Sequence, residues 1–564
     1  MKFKEFPYKR PDIIEVKLKF NNLLNKFTSA KDCKEQETCM TEINELRNEF
    51  QSMYEIASIR NTIDTSDEFY DAEKDYFDRT LPYMEELTSK YYKELTNSKF
   101  RKELELIFGE QLFTIAKLTL KTFSADIIDD LQEENKLSSE YTKLIASAKI
   151  MFSGEERNLS GLTFFAQSPD RSIRKAANEA RYGFLQENAE ELDKIYDSLV
   201  KVRTKMAKKL GYKNFVELGY ARMLRSDYNS DMVADFRKQV EKYIVPIATS
   251  LKERQKKRLG IKTLNYYDEA INFRSGNAKP KGNPEWILKK GEKMYSQLSK
   301  ETGEYFNYMV KHELLDLVTK KGKAGGGYCT YISKYKAPFI FSNFNGTSGD
   351  VDVLTHEAGH AFQVYSSMGF KVPEYYWPTS ESAEIHSMSM ELLTWPWMKL
   401  FFEEEADKYK FAHLSSALQF IPYGVSVDEF QHFVYENPDA TPKERNHVWR
   451  EIEKKYLPHR NYEGNEYLEN GGYWQQQLHI YEIPFYYIDY TLAQICAFQF
   501  WKKSNEDRPD AWKDYYTLCK AGGSKSFLEL VSLANLSSPF DPKCIKDIVA
   551  YIQNWLVNID DTNF

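Results

Sequence analysis

The stretch Thr355-His356-Glu357-Ala358-Gly359-His360-Ala361-Phe362 decides how this chain is read. In a helix, His356 and His360 stand one turn apart on one face, where two imidazoles can hold a single metal ion. Glu357 then projects beside them, toward a water on that metal. Zinc takes borderline nitrogen ligands in a tetrahedron, and a catalytic zinc site keeps one position open for water. With nine histidines in the chain, chance supplies His-Glu-x-x-His about 0.02 times, from a Glu frequency of about 0.1 and a His frequency of about 0.02. The competing reading is two surface histidines on an ordinary helix, and further residues have to decide between the two.

A third ligand must come from elsewhere. The first helix can run to about Ser367, where Gly369 supplies a stop, and Pro373 and Pro378 keep the next ten residues out of a helix. Thr379 or Ser380 can then cap a second helix, T-S-E-S-A-E-I-H-S-M-S-M-E. On it Glu384 and Glu391 lie seven residues apart on one face, with Glu381 a turn earlier, so one carboxylate can bind zinc and another can orient a ligand imidazole. His386 points elsewhere. On the N-terminal side, G-G-G-Y-C-T-Y-I from Gly325 and A-P-F-I-F-S-N-F-N-G-T-S-G from Ala337 combine β-branched and aromatic residues with turn residues, which predicts a small sheet. Such a strand either offers its edge to an extended peptide or simply packs the helix. Gly325 to Gly327 lack the G-x-x-x-x-G-K-[ST] spacing of a phosphate loop.

The remaining chain sets bounds. At 564 residues it exceeds the roughly 250–300 residues at which single cores stop growing. The aromatic share of 15% argues against disorder even though mean hydropathy is -0.61. A net charge of -7 with both signs interspersed presents no basic stripe, so no nucleic-acid partner is implied. Six cysteines without C-x-x-C spacing fit reduced thiols, and the N-terminus shows no apolar signal region, so the expected compartment is the cytoplasm. The most apolar long run, Ile483 to Trp501, is interrupted by Asp489, Gln494 and Gln499 and reads as a buried helix, with no membrane association expected.

Elsewhere the pattern is helical. Leu192, Ile195, Leu199, Val202 and Met206 form a core-facing stripe on a helix that Gly211 ends. Residues 1–170 read as a helical lobe without a catalytic cluster. The run L-K-E-R-Q-K-K-R-L from Leu251 reads as a solvated helix face, and Ser275 to Pro284 as a loop. His312, opening H-E-L-L-D, reads as part of a surface helix, while His413, His432, His447 and His459 have no partners by spacing.

The motifs together resemble the thimet-oligopeptidase-like zinc metallopeptidases of the H-E-x-x-H gluzincin type, most closely their bacterial oligoendopeptidase F branch. The resemblance rests on H-E-A-G-H-A-F at His356, A-E-I-H-S-M-S-M-E at Ala383 and H-I-Y-E-I-P-F-Y-Y-I-D-Y at His479, and spans roughly residues 170–550. It implies one zinc ion on His356, His360 and Glu384, Glu357 as general base, Glu391 behind the ligands, and His479 with a tyrosine from Tyr486, Tyr487 and Tyr490 at the substrate carbonyl. It also implies a mostly α, two-lobed architecture: an N-terminal lobe over 1–170, a catalytic domain over 171–564, a small β-sheet next to the zinc-binding helix, and a deep substrate channel.

The expected chemistry is hydrolysis of internal bonds in short oligopeptides. Glu357 takes a proton from the attacking water and passes it to the leaving amine, while His479 and a Tyr hydroxyl donate to the oxyanion. Two alternatives remain at this point: a zinc exopeptidase or dipeptidyl-type hydrolase, and a catalytically silent peptide-binding protein. Oligomeric state is not expressed in the residues.

Overall fold

Five short strands, β1 (Ile150–Phe152), β2 (Glu155–Arg157), β3 (Leu315–Val318), β4 (Tyr328–Ile332) and β5 (Ala337–Phe344), interrupt a chain that is otherwise helical. The computed structural model describes residues 1–564. β1 and β2 form an antiparallel hairpin, a small exception to the all-helical reading of the first 170 residues. β3, β5 and β4 form the sheet expected before the H-E-x-x-H segment, with β5 in the middle, parallel to β3 and antiparallel to β4. β5 is buried along almost its whole length, which is why it reads as a continuous apolar run without alternation.

β5 delivers the chain into the helix Gly349–Ser367. The Asp350 carboxylate accepts from the backbone N–H groups of Asn345 at 2.8 Å and Gly346 at 2.9 Å, pinning the connection. After the interruption at Pro373 the chain forms the helix Ser380–Leu393, as the proline and glycine positions predict. Thr379 is its N-cap residue, but its hydroxyl makes no capping bond. The two helices pack closely because Gly359 has no side chain: a Cβ there would lie 2.6 Å from the carbonyl oxygen of His386. The helix Tyr487–Glu506 packs on Ser380–Leu393, and Ala406–Glu436 packs on Tyr487–Glu506 in turn.

The N-terminal helices Ile13–Ser29, Cys33–Ile63 and Glu68–Thr96 pack on one another, and Cys33–Ile63 also runs along β4. There Thr330 donates to Glu55 at 2.7 Å and the hydroxyls of Thr62 and Tyr328 lie 2.6 Å apart. One connected apolar core extends from Phe3 to Leu556. No helix is long and apolar enough to cross a membrane.

Three local readings are corrected. His312 caps the end of the helix Lys300–Lys311 instead of opening one: Glu313 takes φ 51°, and Leu315–Val318 leaves as β3. Its apolar residues pair with β5, and that long-range pairing overrides the local helical pattern. The charged run from Leu251 lies in the helix Val245–Leu259 but is not a solvated face. Lys252 and Gln255 are buried, Arg254 pairs with Asp561 at 2.6 Å, and Arg258 also binds Asp561. Finally, the apolar segment from Ile483 becomes helical only at Tyr487. Ile483 precedes Pro484, whose ring disfavours the helical region for the residue before it, and Phe485 sits at φ 68°.

Candidate metal centre

The helix Gly349–Ser367 places His356 and His360 on one face, and Ser380–Leu393 brings Glu384 up against them. Glu384 Oε2 lies 3.2 Å from His356 Nε2 and 3.3 Å from His360 Nε2. All three donor atoms fall within 4.8 Å of one another. A tetrahedron with metal–ligand bonds of about 2.0–2.1 Å has edges of roughly 3.3 Å, so the spacing suits a zinc-sized ion. The tautomer suits it as well. His356 Nδ1 donates to Glu391 Oε1 at 2.7 Å, which leaves the Nε2 lone pair directed at the gap between the ligands.

Electrostatics at the cluster is dominated by burial and by the paired imidazoles. Burial alone would raise the Glu384 pKa, but His360 and His356 hold it well below the usual carboxylate range. Burial would likewise raise Glu391, which His356 and His413 bring down to about 2. Glu357 has no such close partner: burial pushes its pKa up, and its Oε2 is buried without a hydrogen bond. A carboxylate raised by burial and left free is in the condition a general base requires.

The third segment arrives on the same side. The turn before Tyr487 is held by Gln431, which accepts from Phe485 N at 2.5 Å, and by Arg225, which donates to Phe485 O at 2.5 Å and to Asp489 at 2.7 Å. Tyr486 then donates to Glu384 Oε1 at 2.6 Å, and the Tyr490 hydroxyl lies 3.2 Å from His479 Nε2. Tyr423 donates to Gln477 Oε1 at 2.9 Å, so the Gln477 amide nitrogen, 2.9 Å from His479 Nδ1, is the donor to that ring nitrogen. The His479 proton therefore sits on Nε2, facing Tyr490. Burial lowers the His479 pKa to about 4, so the ring is neutral at pH 7.

Tyr487 differs from its neighbours. It is buried while Tyr486 and Tyr490 are partly open, its ring packs edge-on against Tyr423 at 5.7 Å, and its hydroxyl faces Gln477 and Tyr473. His386 is turned away, with Nδ1 2.7 Å from Ser382 O.

Several participants escaped the sequence reading. His413 Nε2 lies 2.8 Å from Glu391 Oε2 and Trp395 Nε1 donates to His413 Nδ1 at 3.2 Å, completing a chain behind His356. His413 comes from a different helix, and no local spacing links it to Glu391. Gly327 reads in sequence as the start of a strand segment, yet a Cβ there would lie 3.3 Å from Glu357 Oε1, so this glycine keeps the space beside the base open. Arg225 and Gln431, which hold the turn before Tyr486, carry no motif.

Comparison with known proteins places this geometry. The Peptidase family M3 model matches residues 164–549, and the Peptidase M3 N-terminal domain model matches residues 3–123. The chain belongs to peptidase family M3. This M3 chain is 25% identical over 431 residues to an oligoendopeptidase F homolog of Borreliella burgdorferi, covering 72% of this chain and 70% of that one. It is similar to a solved Pz peptidase A with an inhibitor at 62% identity and a TM-score of 0.99, with 100% of both chains covered. A putative oligoendopeptidase F from Bacillus anthracis str. Ames is 60% identical with a TM-score of 0.95, covering 100% of this chain and 99% of that one. The M3 chain is accordingly a metallo-oligopeptidase with a mostly α fold.

Proposed function

We propose that the chain is a zinc-dependent endopeptidase that hydrolyses internal bonds of short oligopeptides. The observation that carries this reading is the convergence of His356, His360 and Glu384 at tetrahedral-edge spacing beside the unpartnered Glu357. His356, His360 and Glu384 would hold one zinc ion, which when bound lowers the pKa of a water toward about 7 and polarises a carbonyl. Glu357 takes the proton of the attacking water and returns it to the leaving amine. Neutral His479, through its Nε2–H, and the hydroxyl of Tyr490 donate to the oxyanion as it forms, while Tyr486 holds Glu384 through its own hydroxyl. Tyr487 backs this cluster through Tyr423 and Gln477. Glu391, held between His356 and His413, keeps the His356 ring oriented.

The N-terminal residues 1–170 act as a lobe over a catalytic unit of 171–564, and peptides reach the centre through a channel between them. Cytoplasmic action is supported by six cysteines that are all free. Digestion of a graded library of peptides blocked at both termini, read by mass spectrometry, tests the reading. Internal cleavage of blocked peptides is expected. Cleavage of unblocked peptides alone would favour the exopeptidase alternative, and no cleavage with added zinc would favour a silent peptide-binding protein.

A further inference from the structure

A cavity of about 480 Å³ lies between the helices Cys33–Ile63 and Glu68–Thr96 and the segment around Arg222 to Leu224, with Pro373 on its wall. Its size falls within the range of ligand-binding cavities. Two of its walls adjoin residues that pack on the candidate metal centre. Asn48 reaches the Tyr376 hydroxyl at 3.4 Å, and the neighbouring Trp377 ring stands 6.4 Å from that of His360. On the other wall, Arg225 follows Leu224 and holds Phe485 O, next to Tyr486 on Glu384.

Three charged residues line the cavity: Arg47, Glu85 and Arg222. Both guanidinium groups are engaged, Arg47 with Glu374 at 2.7 Å and Arg222 with Glu134 at 2.9 Å. Glu85 has neither a hydrogen bond nor an ion pair, and its side chain is accessible, opening into the cavity. Enclosure by protein raises its pKa to about 7, against the pull of Arg222 and with the push of Glu134. An unpartnered carboxylate open to the cavity is stabilised by any cation delivered into it.

We infer that Glu85 is a substrate subsite that takes a positively charged group of the bound peptide, either a Lys or Arg side chain or the N-terminal ammonium. The inference rests on the peptidase reading for the identity of the ligand, but binding tests it without turnover. A charge-assisted hydrogen bond is worth about tenfold in affinity. Three peptides of equal length separate the sources: N-acetylated with one central Lys, N-acetylated with norleucine in its place, and the norleucine peptide with a free N-terminus. Their Kd values are measured by calorimetry on zinc-loaded Glu357→Gln, with and without Glu85→Gln. The expected result is that one or both cationic peptides bind about tenfold tighter than the neutral one, and that Glu85→Gln brings the ratio close to one. The identity of the favoured peptide assigns the side chain or the terminus. Equal binding of all three to the parent, absence of binding, or a cationic preference that survives Glu85→Gln would overturn the inference. Failure of the wild-type enzyme to cut blocked peptides would instead count against the endopeptidase reading alone.

Discussion

Tyr486, Tyr487 and Tyr490 are identical in chemistry and differ only in where their hydroxyls point. Because oxyanion donors act mainly in the transition state, Tyr490→Phe and His479→Ala are expected to lower kcat by about 10²–10³ with little change in KM. Tyr486→Phe, which removes the 2.6 Å bond to Glu384, is expected to lower kcat as well, whereas Tyr487→Phe should leave kcat near wild type. Steady-state kinetics on the four variants checks this, and wild-type kcat in all three Tyr→Phe variants would remove the oxyanion role from the cluster. The family resemblance offered all three tyrosines as donors to a substrate carbonyl and left the choice among them open. Tyr486 lies in a turn rather than in the helix, because Pro484 and the left-handed Phe485 delay the helix to Tyr487, and helical spacing therefore misjudges its direction.

Between elements, the metal centre depends on how closely Gly349–Ser367 and Ser380–Leu393 approach. Gly359→Ala puts a Cβ 2.6 Å from His386 O and 2.7 Å from Ser387 Cα, contacts that real Cβ atoms do not make, so the helices must separate. The expected outcome is loss of bound zinc and a lower Tm, read by metal analysis and calorimetry. Gly219→Ala acts on the third segment in the same way, because its Cβ would lie 2.5 Å from Phe485 Cδ2, and a fall in kcat with zinc retained is expected. A buried ion cluster, Glu134 with Arg203 at 2.6 Å and Arg222 at 2.9 Å, ties the helices Ile128–Ala146 and Ala189–Lys209 to the segment at Arg222. Burial would raise the Glu134 pKa, but the two arginines hold it at about 2 against an ordinary 4.5. Its contribution to stability is therefore fully present above about pH 4.5 and is lost as pH falls from there through about 2. Thermal melts at pH 6 and pH 3 should show a smaller acid-induced loss of Tm in Glu134→Gln than in wild type. Both metal-centre helices were legible, since Gly369, Pro373 and Pro378 mark their limits in the sequence itself. The contacts of Glu134, His413 and Arg258 were not, because each joins residues far apart in the chain.

At the scale of the whole molecule, the family, the mostly α fold and the small sheet were all legible from three motifs and one apolar strand, whereas β3 and the wall-to-wall contacts of the interior cavity depend on chain topology. The proposed channel between the lobes predicts that oligopeptides of roughly 5–20 residues are cut internally while folded proteins and long unstructured chains resist. Rapid digestion of unfolded casein, followed by gel electrophoresis, would contradict that limit. The account as a whole stands on which residues hold the metal and which one moves the proton. Its most direct test is the zinc content per chain of purified wild type, Glu384→Ala and Glu357→Gln, measured by atomic emission beside turnover of one blocked peptide. The predicted result is one zinc with turnover in wild type, one zinc without turnover in Glu357→Gln, and no zinc in Glu384→Ala; full zinc occupancy in Glu384→Ala, or undiminished turnover in Glu357→Gln, would contradict it.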